Sequence, residues 1–133
     1  MIQIPKGIHD DMIYHAREGF PLEVCGILGG TGESVSAIYR MTNTDASNEH
    51  FMMDPREQFA VIKDLRVKGL AMLAVYHSHP ETPARPSEED IRLALTPDVS
   101  YVIISLADAA LPDIKSYKIS SGNVQQEMIE TFV

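Results

Sequence analysis

The segment Leu70-Ala71-Met72-Leu73-Ala74-Val75-Tyr76 runs without a break into His77-Ser78-His79-Pro80. Its apolar part is far short of the roughly 20 residues a membrane helix needs. It is also too continuous for a strand with one wet face, which would alternate apolar and polar side chains. Leu70 to His79 is therefore predicted as a strand away from any exposed sheet edge, ended by Pro80. Such a strand demands cover, and the rest of the chain supplies amphipathic helices for it. The expected class is α/β, a mixed sheet flanked by helices. With 133 residues, 44% of them hydrophobic, a single globular domain spanning 1–133 can bury a core without covalent staples.

The remaining elements follow from local signals. Ile8 to Phe20 has helical spacing in Ile8, Met12 and Ala16, with Asp10 and Asp11 in its first turn. Glu23 to Leu28 reads as a strand, turned by Gly29-Gly30-Thr31-Gly32 into a second one carrying Val35, Ala37, Tyr39 and Met41. Asn43 to Asn48 is a loop, and a short strand is expected near Phe51-Met52-Met53. Asp54-Pro55-Arg56-Glu57 starts a helix, with Asp54 as cap and Glu57 closing a capping box. Phe59, Ile62 and Leu65 form its inner side, and Gly69 stops it. Three prolines make Pro80 to Pro86 an extended loop. Ser87 caps a short helix with Ile91, Ala94 and Leu95 inward, ending before Pro97. Val99 to Leu106 is a second buried strand, and Asp113 to Thr131 a hairpin turning at Ser121-Gly122-Asn123.

Composition removes several functions. The net charge of −8 lacks the basic surface that a nucleic-acid partner requires. Cys25 is the only cysteine, which excludes an intramolecular disulfide and a multi-thiolate zinc knuckle. The N-terminal residues carry no signal-peptide pattern, so a cytoplasmic protein without membrane attachment is expected.

Chemistry concentrates in three places. His77 and His79 are two apart on a strand and share a face, so their imidazoles form half of a zinc site; the same pair also fits two polar residues where a strand meets water. Ser87 and Asp90 have the spacing of a helix cap and a first-turn acid, and that same geometry can deliver a carboxylate to a metal. Glu23 opens an apolar strand, where an unpaired charge is costly. Either that strand end is exposed, or Glu23 is a general base facing the metal and its water.

Taken together, Glu23 in Pro21-Leu22-Glu23-Val24-Cys25-Gly26, then His-x-His-x7-Ser-x-x-Asp, resembles the JAMM (MPN-plus) metalloprotease family. The likeness covers nearly the whole chain, and Met53-Asp54-Pro55 and Pro83-Ala84-Arg85-Pro86-Ser87 are similar to its small stand-alone bacterial branch. The resemblance implies a cytidine-deaminase-like fold and one zinc per chain held by His77, His79 and Asp90, with a fourth position open to water. It implies Glu23 as the proton shuttle and Ser87 as donor to the oxyanion, a role that competes with capping.

The activity implied is zinc-dependent hydrolysis of a peptide or isopeptide bond after the C-terminal glycine of a ubiquitin-like β-grasp sulfur-carrier protein, releasing cysteine or a C-terminal extension. The chain has no room for insertions that would hold two linked ubiquitins. A carrier of acidic charge would be repelled at long range, so a local neutral or basic contact that includes Arg85 is expected. Two rivals are a zinc amidase for small peptide-like substrates and a non-catalytic zinc module that grips a β-grasp partner. Cys25 is read as a packed thiol, His50 as a surface histidine, and His9 and His15 receive no role.

Overall fold

The computed structural model describes residues 1–96 and 98–133. Four strands and two helices, β1 (Ile2–Pro5), α1 (Lys6–Gly19), β2 (Cys25–Thr31), β3 (Ser34–Met41), α2 (Pro55–Val67) and β4 (Ala71–His79), are followed by α3 (Glu88–Arg92), β5 (Ser100–Ser105), β6 (Asp113–Ser120), β7 (Asn123–Glu127) and β8 (Ile129–Phe132). They build one eight-stranded sheet in the order β7-β6-β5-β4-β2-β3-β1-β8. The sheet is mixed: β4–β5, β1–β3 and β1–β8 are parallel pairs and the others antiparallel.

The apolar run lies where its composition requires, between β2 and β5 at the centre of the sheet. Alternate side chains serve two layers. Ala74 and Tyr76 join Met12 and Ala16 of α1 in the main core, with Val102 and Ile104 from β5. Val75 turns to the other face, where Val61 and Leu65 of α2 pack with Cys25, Ile27, Met41 and Met53. A third cluster under α3 joins Ile91 and Ala94 to Ile103, Tyr117 and Ile119. Among the described residues no helix is long and apolar enough to cross a membrane.

Several expectations need correction. The N-terminal strand β1 was not foreseen, and α1 starts two residues earlier than Ile8, so Asp10 and Asp11 lie past its first turn. There Asp10 pairs with Lys6 at 2.8 Å and Asp11 with Arg40. Gly29 and Gly30 belong to β2, and the turn is Gly32-Glu33. The reason is close approach: a Cβ at Gly30 would fall 2.0 Å from the Ser34 carbonyl oxygen across a β-bulge, while Gly32, at φ +64, supplies the reversal. Phe51 to Met53 forms no strand, only an isolated bridge from Met53 to Asn43.

Asp54 caps α2 through the Arg56 amide, but Glu57 makes no capping box. Its carboxylate instead accepts from the Thr42 amide at 2.9 Å and hydroxyl at 2.8 Å. Phe59 and Ile62 face solvent, and so does Leu95 beyond α3. The expected end of α3 before Pro97 concerns a residue outside those described; the helix itself closes at Arg92. The tail is a hairpin, β6–β7, plus a separate strand β8.

Met128 alone joins β7 to β8, which stand at opposite ends of the strand order. The sheet must therefore curl until its edges nearly meet. The Ile2 amide donates to the Met128 carbonyl at 3.0 Å, and the N-terminal ammonium reaches Glu127 at 3.3 Å. Helix α1 packs against β1, β3, β5 and β8.

Candidate metal centre

At the end of β4, His77 and His79 point to one face, as their spacing predicts. Ser78 between them points away and is fully buried. Its Oγ accepts from the Val24 amide at 2.8 Å and its own amide donates to the Val24 carbonyl at 3.0 Å. The strand bearing the histidines is thereby locked to the segment that carries Glu23. The loop after Pro80 is held from below, by Ser105 Oγ donating to Thr82 O at 2.6 Å and Tyr117 OH donating to Ala84 O at 2.5 Å. It presents Pro83 O to His79 Nδ1 at 2.9 Å. A carbonyl only accepts, so Nδ1 carries a proton, and in the neutral ring Nε2 is the nitrogen left to bind a metal.

Helix α3 adds the third group. Its capping box is complete: Ser87 Oγ accepts from the Asp90 amide at 3.0 Å, and Asp90 Oδ2 accepts from the Ser87 amide at 2.9 Å. The same Oδ2 lies 3.2 Å from His77 Nε2 and 3.1 Å from His79 Nε2, and the two nitrogens are 3.1 Å apart. Three donor atoms thus form a nearly equilateral triangle of ligand-capable groups. Tetrahedral zinc with bonds of about 2.0–2.1 Å would separate its ligand atoms by roughly 3.3 Å. Two imidazole nitrogens and a carboxylate oxygen stand close to that spacing, so the donor set fits a metal ion.

Burial lowers the pKa of His77. Burial acts the same way on His79, yet its pKa is raised because the Asp90 carboxylate and Pro83 carbonyl outweigh it. Burial alone would raise Asp90, but both histidines and the Ser87 amide hold it well below the usual carboxylate range. Phe51 stacks on the His77 ring with centroids 4.7 Å apart.

Glu23 precedes β2 instead of opening it, and at 4% exposure it is buried, which removes the alternative of an exposed strand end. Its Oε1 is buried without any hydrogen-bond partner among the described residues. Burial pushes its pKa up to about 7; His79 acts to lower it and Asp90 to raise it further. The peptide groups of Glu23 are tied down on both sides, its amide donating to Ser47 O at 2.8 Å and its carbonyl accepting from Asn43 Nδ2 at 3.1 Å. Side chain and main chain are thus treated oppositely.

Capping and the oxyanion donation expected of Ser87, left competing by the sequence, would draw on different parts of its hydroxyl group. The cap consumes a lone pair of Oγ, and the hydroxyl proton on this exposed residue meets no acceptor among the described residues. Cys25 stands opposite His77 in the ladder but is fully buried, its pKa pushed up to about 12 by burial, which suits the packing role expected for it. His50 pairs with Asp45 at 3.0 Å. His15 holds the buried Tyr76 hydroxyl at 2.7 Å, and His9 sits beside Asp10. Sequence reasoning missed Asn43, Phe51 and the Pro83 carbonyl, since an Asn in a polar loop and an aromatic near a helix start carry no special signal. An apolar cleft of about 260 Å³, walled by Phe51, Met53, Leu93, Tyr101 and Ile103, opens beside His77 and Asp90.

Comparison with known proteins matches residues 5–120 to the prokaryotic homologs of the JAB domain. The CysO-cysteine peptidase of Mycobacterium tuberculosis (strain ATCC 25618 / H37Rv) is 34% identical over 120 residues, covering 89% of this chain and 82% of that protein. A desampylase of Haloferax volcanii is 34% identical over 111 residues, covering 78% and 80%. The solution structure of protein DSY2949 from Desulfitobacterium hafniense superposes with a TM-score of 0.90 at 48% identity, covering 99% and 93%.

Proposed function

The chain belongs to the prokaryotic homologs of the JAB domain, as a JAMM-type metallopeptidase, and from that premise we propose that it hydrolyses the bond after the C-terminal glycine of a ubiquitin-like β-grasp sulfur carrier. The product is the carrier plus cysteine or a C-terminal extension. The observation that carries this reading is the buried, unpaired Oε1 of Glu23, on a carboxylate near enough to His79 and Asp90 for both to shift its pKa. A module that only binds has no need of a buried carboxylate lacking a partner. Names of relatives support the substrate class: one is a CysO-cysteine peptidase, another a desampylase. Such a protein works in the cytoplasm, where carriers and a reduced Cys25 coexist.

In this reading His77, His79 and Asp90 hold one zinc. Zinc bound there supplies Lewis-acid activation, drawing the pKa of water towards neutrality and polarising the scissile carbonyl. The Glu23 carboxylate accepts the proton of the attacking water, and the same carboxyl then gives it to the departing amine. A pKa of about 7 serves both transfers. The Ser87 hydroxyl donates to the oxygen that gains charge as the carbonyl carbon becomes tetrahedral. A Gly-Gly tail is slender enough to lie extended beside the exposed Ser87, where main-chain hydrogen bonds give affinity without side-chain bulk.

The test is intact mass of a sulfur carrier extended beyond its Gly-Gly, incubated with zinc-loaded protein or with Glu23→Gln, bound zinc being counted in both. Loss of only the extension, with the wild type alone, is expected. Cleavage of short peptides but never of the carrier would move the function to a small-substrate amidase. Absence of bound zinc would remove the ligand assignment.

A further inference from the structure

Residue 43 lies outside the metal triangle, yet its side chain is saturated with main-chain contacts. Asn43 Nδ2 donates to Glu23 O and to His50 O, each at 3.1 Å. Its Oδ1 accepts from the Asp45 and Met52 amides, each at 3.1 Å. Two donors and two acceptors exhaust what a carboxamide can make. One side chain therefore joins the peptide of Glu23 to both ends of the loop 45–52. That loop returns the tie, since Ser47 O accepts the Glu23 amide at 2.8 Å. One residue past His50 it places Phe51 on the face of His77.

Glu23 has no strand ladder to hold it, because β2 begins two residues later. Its carboxylate has no partner for Oε1 either. Nothing in its own side chain fixes where that oxygen stands, so the position must be set through the main chain. Ser78 does this for Val24, at 2.8 and 3.0 Å. For Glu23 itself the contacts come from Asn43 and from the loop that Asn43 shapes.

We propose that Asn43 is a positioning residue: by clamping the Glu23 carbonyl and the loop 45–52 it sets the free carboxylate of Glu23 against the His77–His79–Asp90 triangle. This rests on the peptidase reading for its kinetic consequence, but the clamp itself is a property of the fold. Proton transfer depends on distances of a few tenths of an ångström, so loosening the Glu23 peptide costs turnover much more than substrate binding.

The discriminating pair is Asn43→Asp and Thr44→Val. Asn43→Asp keeps the acceptor half of the side chain and removes both donors to Glu23 and His50. Thr44 Oγ1 donates to Met52 O at 3.0 Å, an oxygen that the Thr44 amide also holds at 2.9 Å, so Thr44→Val removes one redundant side-chain hydrogen bond nearby and leaves the Asn43 and Ser47 contacts of Glu23 in place. Two readouts are taken on zinc-loaded protein: amide hydrogen exchange, and steady-state cleavage of the extended carrier. For Asn43→Asp the expectation is one bound zinc, exchange at the Glu23 amide accelerated tenfold or more, and unchanged protection at Val102 and Ile104. Turnover should fall ten- to a hundredfold with KM within twofold. Thr44→Val should leave Glu23 exchange and turnover as in the wild type. Unaltered exchange at Glu23 in Asn43→Asp overturns the clamp, whether or not any substrate is cut. A turnover loss of equal size in Thr44→Val, or no loss in Asn43→Asp despite faster exchange, overturns the positioning role. If the wild type cuts nothing, the peptidase reading fails while exchange still decides the clamp.

Discussion

Glu23 is a buried acid that weighs on the folded chain once it is charged. Its folded pKa of about 7 stands above the ordinary 4.5, so the native state binds this proton more tightly than the unfolded state does. The sign follows by linkage: the contribution is fully present below about pH 4.5 and lost as pH rises through 7. Glu23→Gln removes the charge, so metal-free variant and wild type should melt together near pH 4.5 and separate towards pH 8. The variant should be the more stable by on the order of 2–3 kcal/mol, at about 1.4 kcal/mol per pKa unit. Thermal melts across that range in chelator check it, and a gap independent of pH would refute the buried-charge account. Ser87 caps α3, and the oxyanion role proposed for its hydroxyl can be tested apart from the cap. Glycine at an N-cap costs only a few tenths of a kcal/mol, so Ser87→Gly should stay folded and keep its zinc. Its turnover should fall by roughly 10²–10³, as for other oxyanion donors. Equal turnover in Ser87→Gly and wild type, measured at saturating substrate, would assign Ser87 to capping alone.

At the scale of elements, the signals that held were those with a single physical cause. The continuous apolar run became a central strand because only burial on both faces accommodates it. Asp54 and Ser87 became caps because an unpaired helix amide accepts few substitutes. The errors came where two local readings were equally good. Gly29-Gly30 reads as a turn by composition, but the pair lies in a strand because Leu65 and the Ser34 carbonyl leave no room for a Cβ. Helix α2 offers two apolar stripes, and the sheet took Val61 and Leu65 while Phe59 and Ile62 stayed wet. Gly30→Ala should therefore destabilise by about 1–3 kcal/mol through overpacking against main chain. Zinc stoichiometry should not change, since Gly30 pairs with Ala71 at the far end of β4 from His77 and His79. Chemical denaturation with a parallel zinc count tests this; a loss of zinc would mean the two ends of the strand are coupled.

For the whole molecule, the net charge of −8 would oppose an acidic carrier of the kind proposed above, so docking would need a local neutral or basic contact. Arg85 is exposed and adjoins the loop that holds His79. Arg85→Glu should raise KM for the carrier roughly three- to tenfold at low salt and less at high salt, with little change in turnover or in cleavage of a short peptide. An unchanged KM would place the docking contact elsewhere. The sequence alone determined the class of fold and the central strand, and it put His77 and His79 on one strand face and Asp90 in a capped first turn, because strand period and helix-cap spacing are short-range rules written in residue order; their joint reading with Glu23 as one site came from the family resemblance. Only the tertiary structure decided the rest. It brought β1 and β8 together and curled the sheet until Met128 could join its two ends. It also buried Glu23, left one of its oxygens unpaired, and assigned the Glu23 peptide to Asn43. Those are contacts between segments far apart in the chain or without periodic pattern, and their partners are chosen by packing in three dimensions.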